Sequence, residues 1–167
     1  NIVHNRPKLE GLKVISAEAY DLVNAMLKRV AATRPTAKQV GDHPFFWAAD
    51  RRIAFLCDFS DRLENDSVNA SAEDSIFLTK LLAVERNASQ VVGTSWDLAL
   101  DNDLVNNVQR FRTYDPSSVR DLLRLIRNKH HHFDELAEAL KESIGSKSDG
   151  LMNYFEARFP RYAYFSY

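Results

Sequence analysis

Apolar residues recur along most of this chain at the three- and four-residue spacing of one helix face, and almost nowhere at the two-residue alternation of a half-buried strand. The clearest case is Val119, Leu122, Leu123 and Ile126, a stripe that one helix would bury while Arg120, Arg124 and Arg127 point elsewhere. The same spacing predicts helices over 17–30, 36–42, 50–65, 73–84, 103–112, 117–133, 134–144 and 149–158, with breaks at Pro35, Pro44, Gly93, Pro116 and Gly145. The fold class is therefore all-α. Val91 to Ser95 reads as a short extended piece, and the polar stretch from Glu64 to Asp74 as a loop. Pro116 suits the first turn of the 117–133 helix, with Asp115 or Ser117 as its cap, which leaves Tyr114 in the loop feeding that helix.

Composition changes this picture little. With 167 residues, 45% hydrophobic and 27% charged, the chain is long enough to bury a core and has the make-up of an ordinary globular protein. A net charge of -1 argues nothing for nucleic acid, but its distribution does: residues 110–132 hold six Lys or Arg against only Asp115 and Asp121. That cluster is either a phosphate-binding patch or a solvated helix face. Cys57 is the single cysteine, so there is no disulfide framework and no cysteine-based zinc motif; a reducing compartment is favoured, and the apolar run IAFLC places Cys57 in the core. No apolar run approaches the roughly 20 residues of a membrane helix and no signal peptide is visible, so no direct membrane contact is expected of this segment. The N-x-S triplets at Asn65, Asn69 and Asn87 are incidental.

The chemistry concentrates in TYDPSSVRDLLRLIRNKHHHF, Thr113 to Phe133. Cutting RNA by internal transesterification needs a base for the 2'-OH proton, an acid for the departing 5'-oxygen and cationic donors around the phosphorane, but no metal, because the nucleophile belongs to the substrate. His132 suits the acid, since imidazole titrates near neutrality. Tyr114 suits the base if guanidinium charge stands nearby. Arg127 offers that charge and a bidentate grip on phosphate, and Asn128 an amide that both donates and accepts. Asn128 and His132 are four apart and share a helix face. The three consecutive histidines cannot converge on one metal as helix residues about 100° apart, and no i, i+4 ligand pair exists, so no metal site is expected. Asp58, Asp61 and Glu64 converge only partly on a helix and read as salt-bridge partners, with Arg62 or a second subunit.

These residues resemble the nuclease core of the kinase-extension nuclease domain, found in the inositol-requiring kinase/endoribonuclease of the unfolded protein response and in ribonuclease L. HPFFW at His43 to Trp47, FLCDFSDRLE at Phe55 to Glu64, GTSWD at Gly93 to Asp97 and YFEARFP at Tyr154 to Pro160 are similar to that family's other landmarks, in its order. Upstream, AYDLVNAMLKRVAATRPTAKQVGDHPFF resembles the last helices of a protein kinase C-terminal lobe, with Arg34 at the arginine that kinases pair with an upstream glutamate absent here. RVAATRP, where an aspartate-proline usually stands, and the aromatic end RYAYFSY depart from the pattern.

The resemblance implies two parts: residues 1–42 as the end of a kinase C-lobe and 43–167 as the nuclease domain, joined through the aromatics of HPFFW. It implies a metal-independent endoribonuclease acting on hairpin loops or single-stranded RNA, leaving a 2',3'-cyclic phosphate and a 5'-OH, and activated by dimerisation or higher assembly. The family's catalytic tyrosine, arginine, asparagine and histidine fall on Tyr114, Arg127, Asn128 and His132. Substrate-binding positions would be Lys129, Phe111, Arg124 and His131, with His131 also the rival for the acid role. ATP or ADP and magnesium would belong only to a kinase part outside this segment; the nuclease needs no cofactor. Location would be the cytosolic face of the endoplasmic reticulum membrane, through a transmembrane segment outside this sequence, or the cytoplasm. The alternative is a catalytically silent helical dimerisation or interaction module of a pseudokinase.

Overall fold

The computed structural model describes residues 9–66, 79, 82–83, 85–110 and 112–160, and every regular element among them is an α-helix or a 3-10 turn. The expected helix over 73–84 and loop over 64–74 fall largely outside the described residues. Contacts divide the chain into two compact units, one to Ala48 and one from Ala49.

In the first unit α1 (Glu10–Ile15) packs on α2 (Ala17–Met26), which Ser16 caps by accepting from the Ala19 N–H at 3.1 Å. α3 (Ala37–Gly41) starts with a capping box between Thr36 and Gln39. Helix α1 was not anticipated, and α2 stops at Met26 rather than residue 30, where the chain turns through Ala31–Thr33. Arg34 donates from Nε to the Lys28 carbonyl at 2.8 Å. His43 Nδ1 accepts from the Phe45 N–H, while Phe45 and Phe46 pack edge to face and stay about half exposed.

The second unit is built around α7 (Val119–His131), with α4 (Ala49–Asp66) laid along it in the most extensive helix contact of the fold. α5 (Ala88–Val92) and α9 (Asp149–Arg158) also pack on α7. The predicted stripe Val119, Leu122, Leu123 and Ile126 is buried, and so is Leu125, because α7 is covered on more than one side. Ile53, Leu56 and Leu63 of α4, Leu104 and Val108 of α6 (Asn102–Gln109), and Leu151, Phe155 and Phe159 around α9 complete the core. Each such side chain contributes about 1.5–3 kcal/mol by leaving water.

Three local expectations are corrected. Ser118 caps α7, accepting from the Asp121 N–H at 3.2 Å, because the Asp115 carboxylate is already engaged by the Ser117 N–H and hydroxyl; Pro116 therefore lies before the helix, not in its first turn. Val91 and Val92 belong to α5, which Gly93 ends with φ 70°, so only Ser95 of that stretch is extended. The single helix expected over 134–144 is a 3-10 turn at Phe133–Glu135 and then α8 (Glu138–Ile144), since Leu136 and Ala137 are extended between them.

Gly145 leaves α8 at φ 92°, and α9 then begins so close to that end that a Cβ on Gly150 would sit 2.4 Å from the Ile144 carbonyl oxygen. The far end of α9 is fastened by Arg158, which stacks on the Tyr154 ring, donates to the Ala99 carbonyl and pairs with Asp101 at 3.1 Å. Arg52 and Glu156 tie α4 to α9 at 2.7 Å.

Candidate active site

The loop before α7 is held by the core rather than by its own turn. Trp96, 3% exposed, donates its backbone N–H to the Pro116 carbonyl at 2.9 Å and its indole N–H to the Asp115 carbonyl at 3.2 Å, and meets the Tyr114 ring edge to face. At the helix start, the Glu85 carboxylate accepts from the Ser118 hydroxyl and the Arg120 N–H, and the Asp121 carboxylate accepts from the Asp115 N–H. The loop is thereby folded back along α7, and Tyr114 reaches the helix in its third turn. There the Asn128 amide donates to the Tyr114 hydroxyl oxygen at 2.8 Å.

α7 ends where it must for His132 to leave the helix. The His132 N–H still bonds the Asn128 carbonyl at 3.0 Å, but its own backbone turns to φ -104°, ψ 27°. His132 is well exposed, with Nδ1 2.7 Å from the Glu135 carboxylate. The i, i+3 spacing of His132 and Glu135 is the sequence signal of that pairing.

Tyr114, Asn128, Lys129 and His132 open onto one cavity of about 350 Å³, completed by Glu135, Arg112, Asn107, Val108 and Leu136. Lys129 is buried and donates from Nζ to the Asn107 side-chain oxygen at 2.6 Å. Burial lowers its ammonium below the usual lysine range, partly offset by the negative charge of Glu135. Asn107 had no signal of its own in the sequence. A second cavity of about 260 Å³ shares Val108, Arg112 and Tyr114 with the first and is also lined by Trp96 and Val105.

The arginines of α7 take different places. Arg127 Nη2 is 2.5 Å from Asp61 on α4, and Nη1 reaches the Asn128 side-chain oxygen at 3.4 Å. Arg124 bonds Glu64 and also approaches Asp121, while Arg120 reaches Glu64 at 3.8 Å and the Leu63 carbonyl at 3.1 Å. Asp61 and Glu64 are thus salt-bridge partners, as the spacing suggested, but to α7 rather than to Arg62. None of these three guanidinium groups lines the 350 Å³ cavity. His131 is exposed and turns with His130 toward Cys57. Phe111 lies outside the described residues.

Cys57 is core, as expected, and burial, with the Asp61 charge, pushes its thiol up to about 11. No helix among the described residues is long and apolar enough to cross a membrane.

The described residues form an all-helical body that presents a tyrosine, an amide and an imidazole to one open cavity. The sequence profile described as ribonuclease 2-5A matches residues 52–167, and the chain belongs to that family. It is 35% identical over 157 residues to the serine/threonine-protein kinase/endoribonuclease IRE1 of Hypocrea jecorina, and 38% identical over 161 residues to the serine/threonine-protein kinase/endoribonuclease IRE1a of Arabidopsis thaliana. It is 34% identical over 152 residues to the sensor for unfolded proteins in the ER ire1 of Schizosaccharomyces pombe. These matches cover 94%, 96% and 91% of this chain but only 12%, 18% and 14% of the relatives.

Proposed function

We propose that this domain is an endoribonuclease that cuts RNA without a metal, by attack of a ribose 2'-oxygen on the adjacent phosphorus. The observation that carries the reading is the single cavity onto which Tyr114, Asn128 and His132 open in a member of a ribonuclease family. In the reaction Tyr114, entering as phenolate, takes the 2'-OH proton as the O–P bond forms and ends as the phenol. His132 gives a proton to the 5'-oxygen as its bond to phosphorus breaks, leaving a 2',3'-cyclic phosphate and a 5'-OH. Glu135 holds Nδ1, so the proton transfer is assigned to Nε2, the other ring nitrogen. The Asn128 amide fixes the tyrosine oxygen, and Lys129 with Arg112 supplies positive charge where the phosphate sits. Arg127, anchored on Asp61, serves as a positioning residue behind Asn128 rather than as a direct phosphate grip. The substrate in this reading is a splayed loop or single strand, whose bases and 2'-OH groups are not locked in a duplex.

The names of the relatives, together with the small share of their length this chain spans, support a longer protein that joins a serine/threonine kinase to this nuclease in the unfolded protein response. In that setting ATP and magnesium act on the kinase part, the assembly sits at the cytosolic face of the endoplasmic reticulum membrane, and self-association switches the nuclease on. The competing reading is a catalytically silent interaction module. Cleavage of an end-labelled RNA hairpin in EDTA, by the protein under self-associating conditions, separates the two. Product ending in a cyclic phosphate, lost on His132→Ala, is expected; no product from folded, self-associated protein would favour the silent module.

A further inference from the structure

A cluster outside the nuclease cavity has the donor set of a soft-metal site. Cys57 projects from α4 and His130 and His131 from the last turn of α7, and one ligand atom from each lies within 4.8 Å of the other two. The Cys57 sulfur is already 3.7 Å from His130 Nδ1, and the two imidazole rings are tilted at 51° with centroids 5.8 Å apart. Zinc holds thiolate sulfur at about 2.3 Å and imidazole nitrogen at about 2.0–2.1 Å, so tetrahedral donors stand roughly 3.3–3.6 Å apart. The cysteine–histidine pair is close to that spacing, and the exposed His131 ring needs to close by only about 1 Å, a rotamer adjustment. Three consecutive histidines cannot converge on one metal from one helix. This site asks for only two of them, whose ligand atoms already lie within 4.8 Å of each other, and takes its third donor from the facing helix.

We propose that Cys57, His130 and His131 bind one zinc-class divalent cation, clipping α4 to the C-terminal turn of α7 beside His132. The thiol proton passes to solvent as the sulfur–metal bond forms, and the fourth coordination position remains for water or an external ligand. A thiolate and two imidazoles select zinc, cobalt or copper over magnesium and calcium, which prefer oxygen. None of the three donors lines the 350 Å³ cavity, so the ion is separate from the transesterification chemistry and EDTA leaves cleavage intact. It adds a cross-link between two helices that meet 73 residues apart in sequence.

Cobalt(II) is the probe of choice because thiolate ligation gives a near-ultraviolet charge-transfer band and tetrahedral geometry gives strong visible bands. Titrated into the metal-free, reduced full chain, cobalt should develop both at one equivalent, and zinc should erase them while raising the thermal midpoint. Cys57→Ser should abolish the charge-transfer band. His131→Ala, at an exposed position that leaves the fold unchanged by circular dichroism, should weaken zinc affinity at least tenfold. Absence of a thiolate band in the wild type overturns the site, as does unchanged affinity in His131→Ala, which decides the matter even where Cys57→Ser fails to fold.

Discussion

Replacing Asp61 by asparagine keeps the side chain's shape and removes the charge that anchors Arg127. The chain of contacts runs from Asp61 to Arg127 at 2.5 Å, from Arg127 to the Asn128 oxygen at 3.4 Å, and from the Asn128 amide to the Tyr114 oxygen at 2.8 Å. Arg127 is 25% and Asp61 39% exposed at the side chain, so solvent screens the pair and its loss costs only about 0.5–1 kcal/mol of stability. That corresponds to roughly 1–4 °C in the thermal midpoint of a chain of this size. Catalysis is more demanding than stability here: misplacing a reacting group by about 1 Å costs up to 100-fold. Asp61→Asn should therefore slow single-turnover cleavage of a labelled RNA hairpin by about 10- to 100-fold, or roughly 1.4–2.7 kcal/mol of barrier, while melting almost normally. Should the variant cut as fast as wild type, or faster, Arg127 does not act through Asn128. Asp61 would then merely neutralise a guanidinium that could otherwise grip phosphate.

His132→Ala should reduce cleavage by about 10²–10⁴-fold with an unchanged thermal midpoint, since the side chain is exposed; Glu135→Gln should give a smaller loss, read in the same assay. Gly150→Ala would push a Cβ to 2.4 Å from the Ile144 oxygen and 2.7 Å from the Gly145 carbonyl carbon, both backbone atoms that cannot swing aside. It should cost about 1–3 kcal/mol, lowering the thermal midpoint by roughly 2–12 °C, and a midpoint within 1 °C of wild type would contradict the packing described. Burial holds the Tyr154 phenol above its ordinary value, partly offset by the Asp101 N–H donated to it. The unfolded chain therefore sheds that proton first as the solution becomes alkaline. This contribution is intact below about pH 10 and is lost as pH rises through the folded value. Urea melts between pH 9 and 11 should show Tyr154→Phe with a shallower alkaline decline than wild type, and equal slopes would refute it.

The helices were legible because their stripes repeat: Val119, Leu122, Leu123 and Ile126 are buried as their spacing predicts. Helix ends were less so. Asp115, Ser117 and Ser118 are all good caps, and which one serves depends on the Asp115 carboxylate turning to Ser117. The arginines of α7 show the same limit at larger scale. Sequence places Arg120, Arg124 and Arg127 off the apolar stripe but not against Asp61 and Glu64, since pairing two charged helix faces is a tertiary choice. Of the cavity, Tyr114, Asn128, Lys129 and His132 were found through spacing and family likeness, while Asn107 enters only because α6 happens to pass beside Lys129. The apolar run IAFLC shows Cys57 as core, whereas its nearness to His130 and His131 comes from the packing of α4 on α7.

The central claim is that the substrate's own 2'-hydroxyl is the nucleophile. An RNA hairpin carrying a single 2'-deoxy nucleotide at the mapped cleavage site tests it most directly, in EDTA with the self-associated protein. The account predicts that cleavage at that position disappears while the modified RNA still competes for binding; an undiminished cut there, leaving an open 3' end, would contradict it.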